Sequence, residues 1–170
     1  MRTAAVHRSR KKRSAHPDPH PWSDSVAYLL RNSYRVFARA LQERIQAEGI
    51  PIGSWPFLRH LWQRDGITQT ELTKAVGLMQ PNTVAALRQL ARRGWVKQTR
   101  DADDKRKIRI HLTPKGRELF YRAFPLALQA REQALADFSE EEIATLRSLL
   151  KRITKNLDVA QNDQEDDKDE

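Results

Sequence analysis

The stretch GITQTELTKAVGLMQPNTVAALRQLARRGWVKQTR, residues 66–100, decides the fold of this chain. Thr68 stands three residues before Glu71, which is the spacing of a capping box, in which each residue satisfies a backbone N–H of the other. This pair predicts a short helix over residues 69–75. Gly77 then ends the helix, because glycine readily adopts the left-handed conformation found just past many helices.

A second helix is predicted over residues 80–93, directly after this turn. Four apolar residues recur in it at helical spacing and should face the core: Val84, Leu87, Leu90 and Ala91. The other positions should form an outward or N-terminal surface of polar and small side chains: Gln80, Asn82, Thr83, Ala85, Ala86 and Gln89. Two short helices joined by a turn are the arrangement of a helix-turn-helix.

The polar residues of this helix pair are candidate DNA contacts. Gln and Asn amides can pair with adenine edges in the major groove, and Thr serves phosphates or thymine methyl groups. The predicted contacts are Thr68, Gln69, Thr70, Gln80, Asn82, Thr83, Arg88 and Gln89. The alternative for any one of them is a solvated polar position, with Asn82 or Thr83 acting as a helix cap.

A β-hairpin is predicted after the second helix. Residues 95–99 and 108–112 are rich in β-branched residues and alternate in polarity, and a charged loop separates them. The loop carries three Asp and four Lys or Arg, so its acids can orient an arginine that reaches into a minor groove. The candidate contacts there are Lys105, Arg106 and Lys107. The alternative is an ordinary solvated hairpin tip.

Two more helices are predicted before the helix-turn-helix. Ser23 is a candidate N-cap, and apolar residues then recur at helical spacing, which predicts a long first helix over residues 23–48. After a turn between Gly49 and Gly53, a second apolar stripe consists of Trp55, Leu58, Leu61 and Trp62. An aromatic stripe of this kind usually belongs to the core.

Two helices are also predicted after the hairpin. Thr113, with a proline next to it, begins a helix that should run toward Asp137. Ser139, with a glutamate three residues on, opens a last helix over residues 139–157. The fold class is therefore mainly α with a small β-hairpin wing. It is a winged helix-turn-helix over residues 53–112, flanked by long helices at both ends.

The composition restricts the partners and the class of function. The 170 residues carry 31 Lys and Arg against 22 Asp and Glu, and this net charge of +9 favours a polyanionic partner. Charge alone does not choose between nucleic acid and an anionic membrane. No apolar run is long enough to span a membrane and no secretory signal is recognisable, so a cytoplasmic location is expected. No cysteine is present, which excludes disulfides, thiolate catalysis and thiol-based sensing.

The two ends of the chain carry opposite charge. Residues 1–22 begin with a run of Lys and Arg, whereas residues 158–170 hold seven acids against a single lysine. Both stretches have few large apolar residues to bury, so we expect a disordered basic arm and a disordered acidic tail. The arm is either simply solvated or binds phosphates nonspecifically.

Several spaced motifs resemble the MarR family of winged helix-turn-helix regulators. They are Gly66-Ile-Thr-Gln-Thr-Glu-Leu72, Leu90-Ala-Arg-Arg-Gly-Trp-Val96, the loop from Arg100 to Arg106, and Leu112-Thr-Pro-Lys-Gly116. The resemblance implies a homodimer in which residues 23–48 and 113–157 form the dimerisation region. Two recognition helices would then enter successive major grooves of palindromic double-stranded DNA, with half-sites about 34–36 Å apart. The family often carries an arginine where this chain has Ala85.

The same resemblance implies a small-molecule switch, because MarR-like proteins are commonly released from DNA by small anionic aromatic compounds. A guanidinium binds a carboxylate bidentately, and aromatic side chains hold the ring. The candidate ligand contacts are Arg31, Tyr34, Trp55, Arg59 and His60. The alternatives are that Arg31 pairs with an acid of the partner subunit, that Trp55 fills the core, and that His60 is an exposed helical residue.

No enzyme signature is present in the sequence. It has no glycine-rich phosphate loop, no nucleophile-base pattern and no metal-ligand cluster, so no catalytic residue, metal or cofactor is predicted. The predicted function is a sequence-specific transcription regulator, a repressor relieved by an aromatic carboxylate effector. The alternative is a sequence-independent architectural DNA-binding protein without a ligand.

Overall fold

The computed structural model describes the backbone of residues 21–166 and the side chains of residues 21–157. The predicted basic arm lies outside the described residues except for its last two positions. The elements are α1 (Val26–Ile45), α2 (Trp55–Gln63), α3 (Gln69–Val76), α4 (Gln80–Arg92), β1 (Val96–Arg100), β2 (Ile108–Leu112), α5 (Pro114–Ala134) and α6 (Glu140–Asp166). Short 3-10 turns lie on either side of α1 and before α2. The predicted fold class, mainly α with a two-stranded wing, is confirmed.

The described residues fall into two compact units, divided between residues 36 and 37. In the first unit, Ser25 rather than Ser23 caps α1, because its Oγ accepts the Tyr28 N–H at 3.3 Å. A 3-10 turn takes up Ser23 and moves the start of the helix toward the C-terminus. The predicted cap was therefore wrong by two positions.

The second unit has one apolar core, to which the C-terminal end of α1, α2, α3, α4, both strands and α5 contribute. Its most deeply buried large side chains are Ile45, Ile50, Phe57, Leu58, Leu61, Leu72, Leu87, Leu90, Ile110 and Phe120. Each such side chain gains about 1.5–3 kcal/mol by leaving water. This core fixes the relative positions of the helix-turn-helix and the hairpin.

The wing is joined to the helix-turn-helix through its second strand. β1 and β2 pair antiparallel along their whole lengths. On its other edge, β2 bonds to the residues just before α3: the Gly66 N–H donates to the Ile110 carbonyl at 3.0 Å, and the Ile110 N–H donates to the Ile67 carbonyl at 2.9 Å. The hairpin is therefore held on both sides of β2.

Thr113 caps α5, as predicted, and fixes it to the base of the wing. Its Oγ1 accepts the Gly116 N–H at 3.0 Å and donates to the Gly94 carbonyl at 2.6 Å. Gly116 packs so closely on Trp95 that a Cβ there would stand 2.0 Å from the Trp95 carbonyl oxygen. Only glycine fits this position. The helix ends at Ala134, slightly earlier than predicted.

The capping box predicted at the start of α6 is confirmed. The Glu142 N–H donates to Ser139 Oγ at 3.2 Å, and the Ser139 N–H donates to the Glu142 carboxylate at 2.8 Å. The bond from the Ser139 N–H is the largest cause of a lowered pKa at Glu142. The helix then runs to Asp166, past the end predicted at residue 157, so most of the expected tail has helical backbone. Residues 140–170 contain no Gly or Pro to end the helix.

Candidate nucleic-acid interface

The first helix of the pair, α3, begins at the predicted capping box. Thr68 Oγ1 accepts the Glu71 N–H at 3.2 Å, and the Glu71 carboxylate accepts the Thr68 N–H at 2.7 Å and the Thr68 hydroxyl at 2.8 Å. The bond from the Thr68 N–H is the largest cause of a lowered pKa at Glu71. The Thr68 hydroxyl is thus occupied within α3. Of the other candidates, Thr70 is exposed and Gln69 is half-buried.

The turn between α3 and α4 has a fixed backbone. Gly77 has a φ of 66°, and its N–H donates to the Lys74 carbonyl at 3.2 Å. The next N–H, of Leu78, donates to the Thr73 carbonyl at 3.4 Å, which completes a Schellman motif. The Met79 carbonyl then accepts two N–H groups of the first turn of α4, each at 3.1 Å. No side chain caps α4.

α4 presents a polar face to the solvent. Four of its predicted DNA contacts are exposed: Gln80, Asn82, Arg88 and Gln89. Ala85 is exposed among them and leaves room for a close approach, whereas Ala86 is half-buried against the core. The exposed amides are therefore free to reach a partner, and their role as DNA contacts stays a prediction.

Thr83 was wrongly placed on this face. It is fully buried, on the same side of α4 as Leu87 and Leu90, whereas Ala91, which was expected to be buried, is exposed. The buried stripe is rotated relative to the prediction because threonine, which has nearly the shape of valine, fills a core position. Its hydroxyl has no hydrogen-bond partner. Thr83 is thus a core residue and cannot reach DNA from this position.

Sequence reasoning missed the turn residues Leu78 and Met79. Their side chains are 42% and 75% exposed. A signal was available, since two large apolar residues followed a helix-ending glycine and preceded a polar helix face. Residues in a turn rarely bury their side chains.

The tip of the wing presents a braced arginine. Arg106 meets the Asp104 carboxylate through two nitrogens, Nε at 3.1 Å and Nη2 at 3.3 Å, and its side chain is 92% exposed. Lys107 Nζ lies 3.8 Å from the same carboxylate. The side-chain bond from Arg106 is the largest cause of a lowered pKa at Asp104. The predicted orientation of an arginine by loop acids is therefore present, and Lys105 is exposed beside it.

The loop at the tip of the wing begins with a buried carboxylate that sequence reasoning did not single out. Asp101 accepts the N–H groups of Asp103 and Asp104 at 2.9 Å each, and it also pairs with Arg109 Nε. These bonds, the backbone ones first, lower its pKa to about 2. Arg109 Nη1 also donates to the Gly66 carbonyl at 2.8 Å. One arginine thus connects the loop to the turn before α3.

The candidate ligand residues of α2 lie against an aromatic column. Trp55 is almost fully buried and stacks on Phe120, with ring centroids 5.4 Å apart. Trp62 stacks on the same ring at 4.8 Å. The Arg59 guanidinium lies 5.3 Å from the centre of the Phe124 ring. Trp55 therefore fills the core, which was the alternative to its role as a ligand contact.

The other ligand candidates are more accessible. Arg31 and Tyr34 are both exposed on α1, and the Arg31 guanidinium lies 5.7 Å from the centre of the Tyr28 ring. His60 is half-buried on α2. The ligand role of Arg31, Tyr34, Trp55, Arg59 and His60 stays a prediction.

The described residues show neither a metal-ion cluster nor a helix suited to a membrane. In that part of the chain, no three His, Asp or Glu side chains are grouped so that they could hold a metal ion. None of its helices combines the length and the apolar character that crossing a membrane requires.

Residues 50–108, which include α3, α4 and β1, match the family model of the MarR family. The chain is 28% identical over 131 residues to the HTH-type transcriptional regulator BilQ of Clostridium symbiosum, over 77% of this chain and 89% of that protein. A MarR transcriptional regulator from Methanosarcina mazei has a TM-score of 0.71 at 27% identity and covers 79% of this chain and 97% of its own. The repressor CouR, solved on a 23-mer DNA duplex, has the same TM-score and identity and covers 78% and 94%.

The matched region contains both helices of the helix-turn-helix and the first strand of the wing. In a helix-turn-helix, the second helix of the pair contacts base edges in the major groove. The relatives are named as transcription regulators rather than enzymes. The fold, the exposed polar face of α4 and the named relatives all point to the same class of protein. The chain is thus similar to MarR-type DNA-binding transcription regulators, in sequence over residues 50–108 and in fold over most of its length.

Proposed function

We propose that this chain is a dimeric repressor that binds a palindromic operator and leaves it when a small aromatic carboxylate binds. The observation that carries the proposal is the combination of the exposed amide face of α4 with the braced Arg106 at the wing tip. Both surfaces belong to one connected piece, because Arg109 bonds both the wing loop and the turn before α3. A major-groove reader and a minor-groove reader are thus held at a fixed spacing.

The chemistry of the two surfaces suits base reading. Gln80, Asn82 and Gln89 carry amides that can pair bidentately with the N6 and N7 atoms of adenine. Arg106 projects a guanidinium from a strongly basic loop, and narrow minor grooves attract arginine through their negative potential. CouR, a relative of similar fold, was solved on a DNA duplex. By analogy, α4 enters the major groove and the wing lies over the adjacent minor groove.

The exposed face of α6 supports a dimer. Its large apolar side chains recur along one stripe and are more than a third exposed: Leu146, Leu149, Leu150 and Leu157. An amphipathic helix with an uncovered apolar stripe is typical of a protein-protein surface. A twofold dimer would read two half-sites about 34–36 Å apart, which requires a palindrome.

The aromatic column between α2 and α5 supports an aromatic acid as the effector. Trp62 packs edge-on against Tyr121 at 4.5 Å, and Tyr121 is well exposed. Arg59 lies over the neighbouring Phe124 ring. A guanidinium beside aromatic rings suits a ligand that joins a ring to a carboxylate. Arg31 is the second candidate for the carboxylate.

The test of DNA reading is a fluorescence anisotropy titration against the region upstream of the gene, at several salt concentrations. Arg106→Ala should weaken binding to every sequence. It should also lower the slope of log K against log salt by about 1, because one cationic contact with the DNA is lost. Asn82→Ala should cost about 1–3 kcal/mol at an adenine of the operator and relax the preference there. Arg39→Ala removes the same charge at an exposed position of α1 and serves as the control.

Unchanged binding by both Arg106→Ala and Asn82→Ala would contradict this placement of the DNA surface. Equal affinity of the unmodified protein for random DNA would instead support a sequence-independent architectural role. Repeating the titration with benzoate and its hydroxylated derivatives tests the effector. Arg31→Ala and Arg59→Ala should bind the operator normally and lose the response, and no response to any acid by the unmodified protein would contradict the switch.

A further inference from the structure

The turn before the recognition helix carries an apolar pair that the core does not use. Between residues 50 and 112, all of which the structure describes, Leu78 and Met79 are the only large apolar side chains that are strongly exposed. Single exposed apolar residues are common on proteins. Two in succession at the start of α4, beside Gln80 and Asn82, are a local feature that the packing of the fold does not explain.

The backbone that holds this pair is rigid. The Leu78 N–H closes the Schellman motif of α3, and the Met79 carbonyl accepts two N–H groups of α4. Met79 is the N-cap residue of α4, and its side chain forms no capping hydrogen bond. The N-cap position usually carries Ser, Thr, Asp or Asn. A position that could stabilise the helix with a short polar residue carries a long apolar one. The choice of methionine therefore needs a reason outside the folded chain.

The surroundings of the pair indicate what it contacts. Residues 50–112 carry twelve Lys or Arg against five Asp or Glu, which complements a polyanion. The N-terminal residues of the second helix of a helix-turn-helix contact base edges in the major groove. The only apolar group that base pairs present in that groove is the C5-methyl of thymine.

We propose that Met79, with Leu78 beside it, reads the C5-methyl groups of thymines in the operator. The inference rests on the proposed sequence-specific binding and adds that Met79 selects thymine. The methionine side chain is unbranched and polarisable, so it can follow the position of a methyl group. Its amide neighbours Gln80 and Asn82 read adenine, so the start of α4 recognises both members of an A·T pair.

The experiment uses the full chain and an operator selected from random duplexes. Thymines in the selected operator are replaced one at a time by deoxyuridine, which removes only the methyl group. At the contacted positions, each replacement should weaken binding by the unmodified protein about fourfold, the fold-change expected for one buried methyl group. Met79→Ser should bind the thymine and deoxyuridine duplexes equally.

Serine is a favourable N-cap, so Met79→Ser keeps or strengthens α4 and a lost preference cannot be attributed to unfolding. The salt dependence of binding should stay unchanged in this variant, because no phosphate contact is removed. Gln63→Ser, which shortens a long unbranched side chain at an exposed position at the end of α2, is the matched control and should keep the full discrimination.

Three outcomes would overturn the inference. If the unmodified protein binds thymine and deoxyuridine operators equally, no methyl group is read. If Met79→Ser still discriminates fourfold, another residue reads the methyl group. If selection yields no preferred sequence, the proposed sequence-specific function fails as well, whereas the first two outcomes leave that function intact and contradict only the role of Met79.

Discussion

The winged helix and α6 treat their apolar side chains in opposite ways. Residues 53–112 bury all of their large apolar side chains deeply or partly, apart from the pair in the turn. Among the described side chains of α6, only Ile143 is buried, while Leu149 and Leu157 are 46% and 62% exposed. The first region has a complete core within one chain. The second has an apolar stripe that one chain does not cover.

This difference separates two sources of stability. A core inside one chain stabilises the fold at any protein concentration, whereas a stripe covered by a partner stabilises it only when the partner is bound. The polar contacts follow the same division. Arg109 and Thr113 tie the wing to its neighbours through backbone carbonyls, and the polar bonds within α6 are local ones at its capping box and at Thr154.

The largest expected effect comes from truncating a leucine in each region. Leu87→Ala should lower the free energy of unfolding by about 2–5 kcal/mol at every protein concentration, because it leaves a cavity in a closed core. Leu149→Ala should cost little in dilute protein, and its cost should grow with protein concentration as the proposed dimer forms. Urea denaturation at concentrations a hundredfold apart measures both. A concentration-independent cost at Leu149 would abolish the distinction between the two regions.

A smaller effect of opposite sign is expected at the one flaw in the complete core. Thr83→Val should raise the free energy of unfolding by about 1 kcal/mol, because it replaces an unpartnered buried hydroxyl by a methyl group of similar size. Thr70→Val, at an exposed position of α3, is the control and should change stability by less than about 0.5 kcal/mol. A loss of stability in Thr83→Val would mean that the hydroxyl is bonded after all.

The smallest effect concerns the acid sensitivity of the wing. The Asp101 carboxyl has a pKa of about 2 in the folded chain against an ordinary 3.8, so its charge stabilises the fold fully above this ordinary value. This contribution is lost as the pH falls from 3.8 to about 2. Asp101→Asn should therefore have a shallower loss of stability in that range than the unmodified protein.

Urea denaturation at steps across this pH range measures the Asp101 effect. Asp103→Asn makes the same isosteric change at an exposed neighbour in the loop and should follow the unmodified protein. Identical curves for Asp101→Asn and the unmodified protein would show that the buried carboxylate does not anchor the wing.

Local signals in the sequence predicted most of the fold. The two capping boxes, at Thr68 and Ser139, and the helix-ending Gly77 depend on residues a few positions apart, and the structure confirms all three. The alternating pattern of the hairpin is equally local, and both strands lie within a residue of their predicted bounds. The effect of a residue on the backbone within a few positions of it can be predicted without knowing the rest of the fold.

The errors arose where the partner of a residue is distant in sequence. Two helical stripes fit α4, and only the surface it packs against selects the one that contains Thr83. The Arg109 bond to the carbonyl of Gly66 joins positions 43 residues apart, so no spacing pattern reveals it. The exposure of Met79 likewise follows from how the turn is held between α3 and α4. These are the residues on which the shape of the proposed DNA surface depends.

The contact between Gly116 and Trp95 couples the direction of α5 to that of the hairpin. A Cβ at Gly116 would overlap the Trp95 carbonyl, and the Thr113 hydroxyl donates to the Gly94 carbonyl. The first turn of α5 is therefore held tightly against the start of the hairpin. Any tilt of α5 is therefore transmitted to the wing, and Arg106 at the far end of the hairpin travels furthest. The direction in which α5 leaves this contact therefore fixes the direction of the hairpin, and with it the place at which the proposed wing contact falls on DNA.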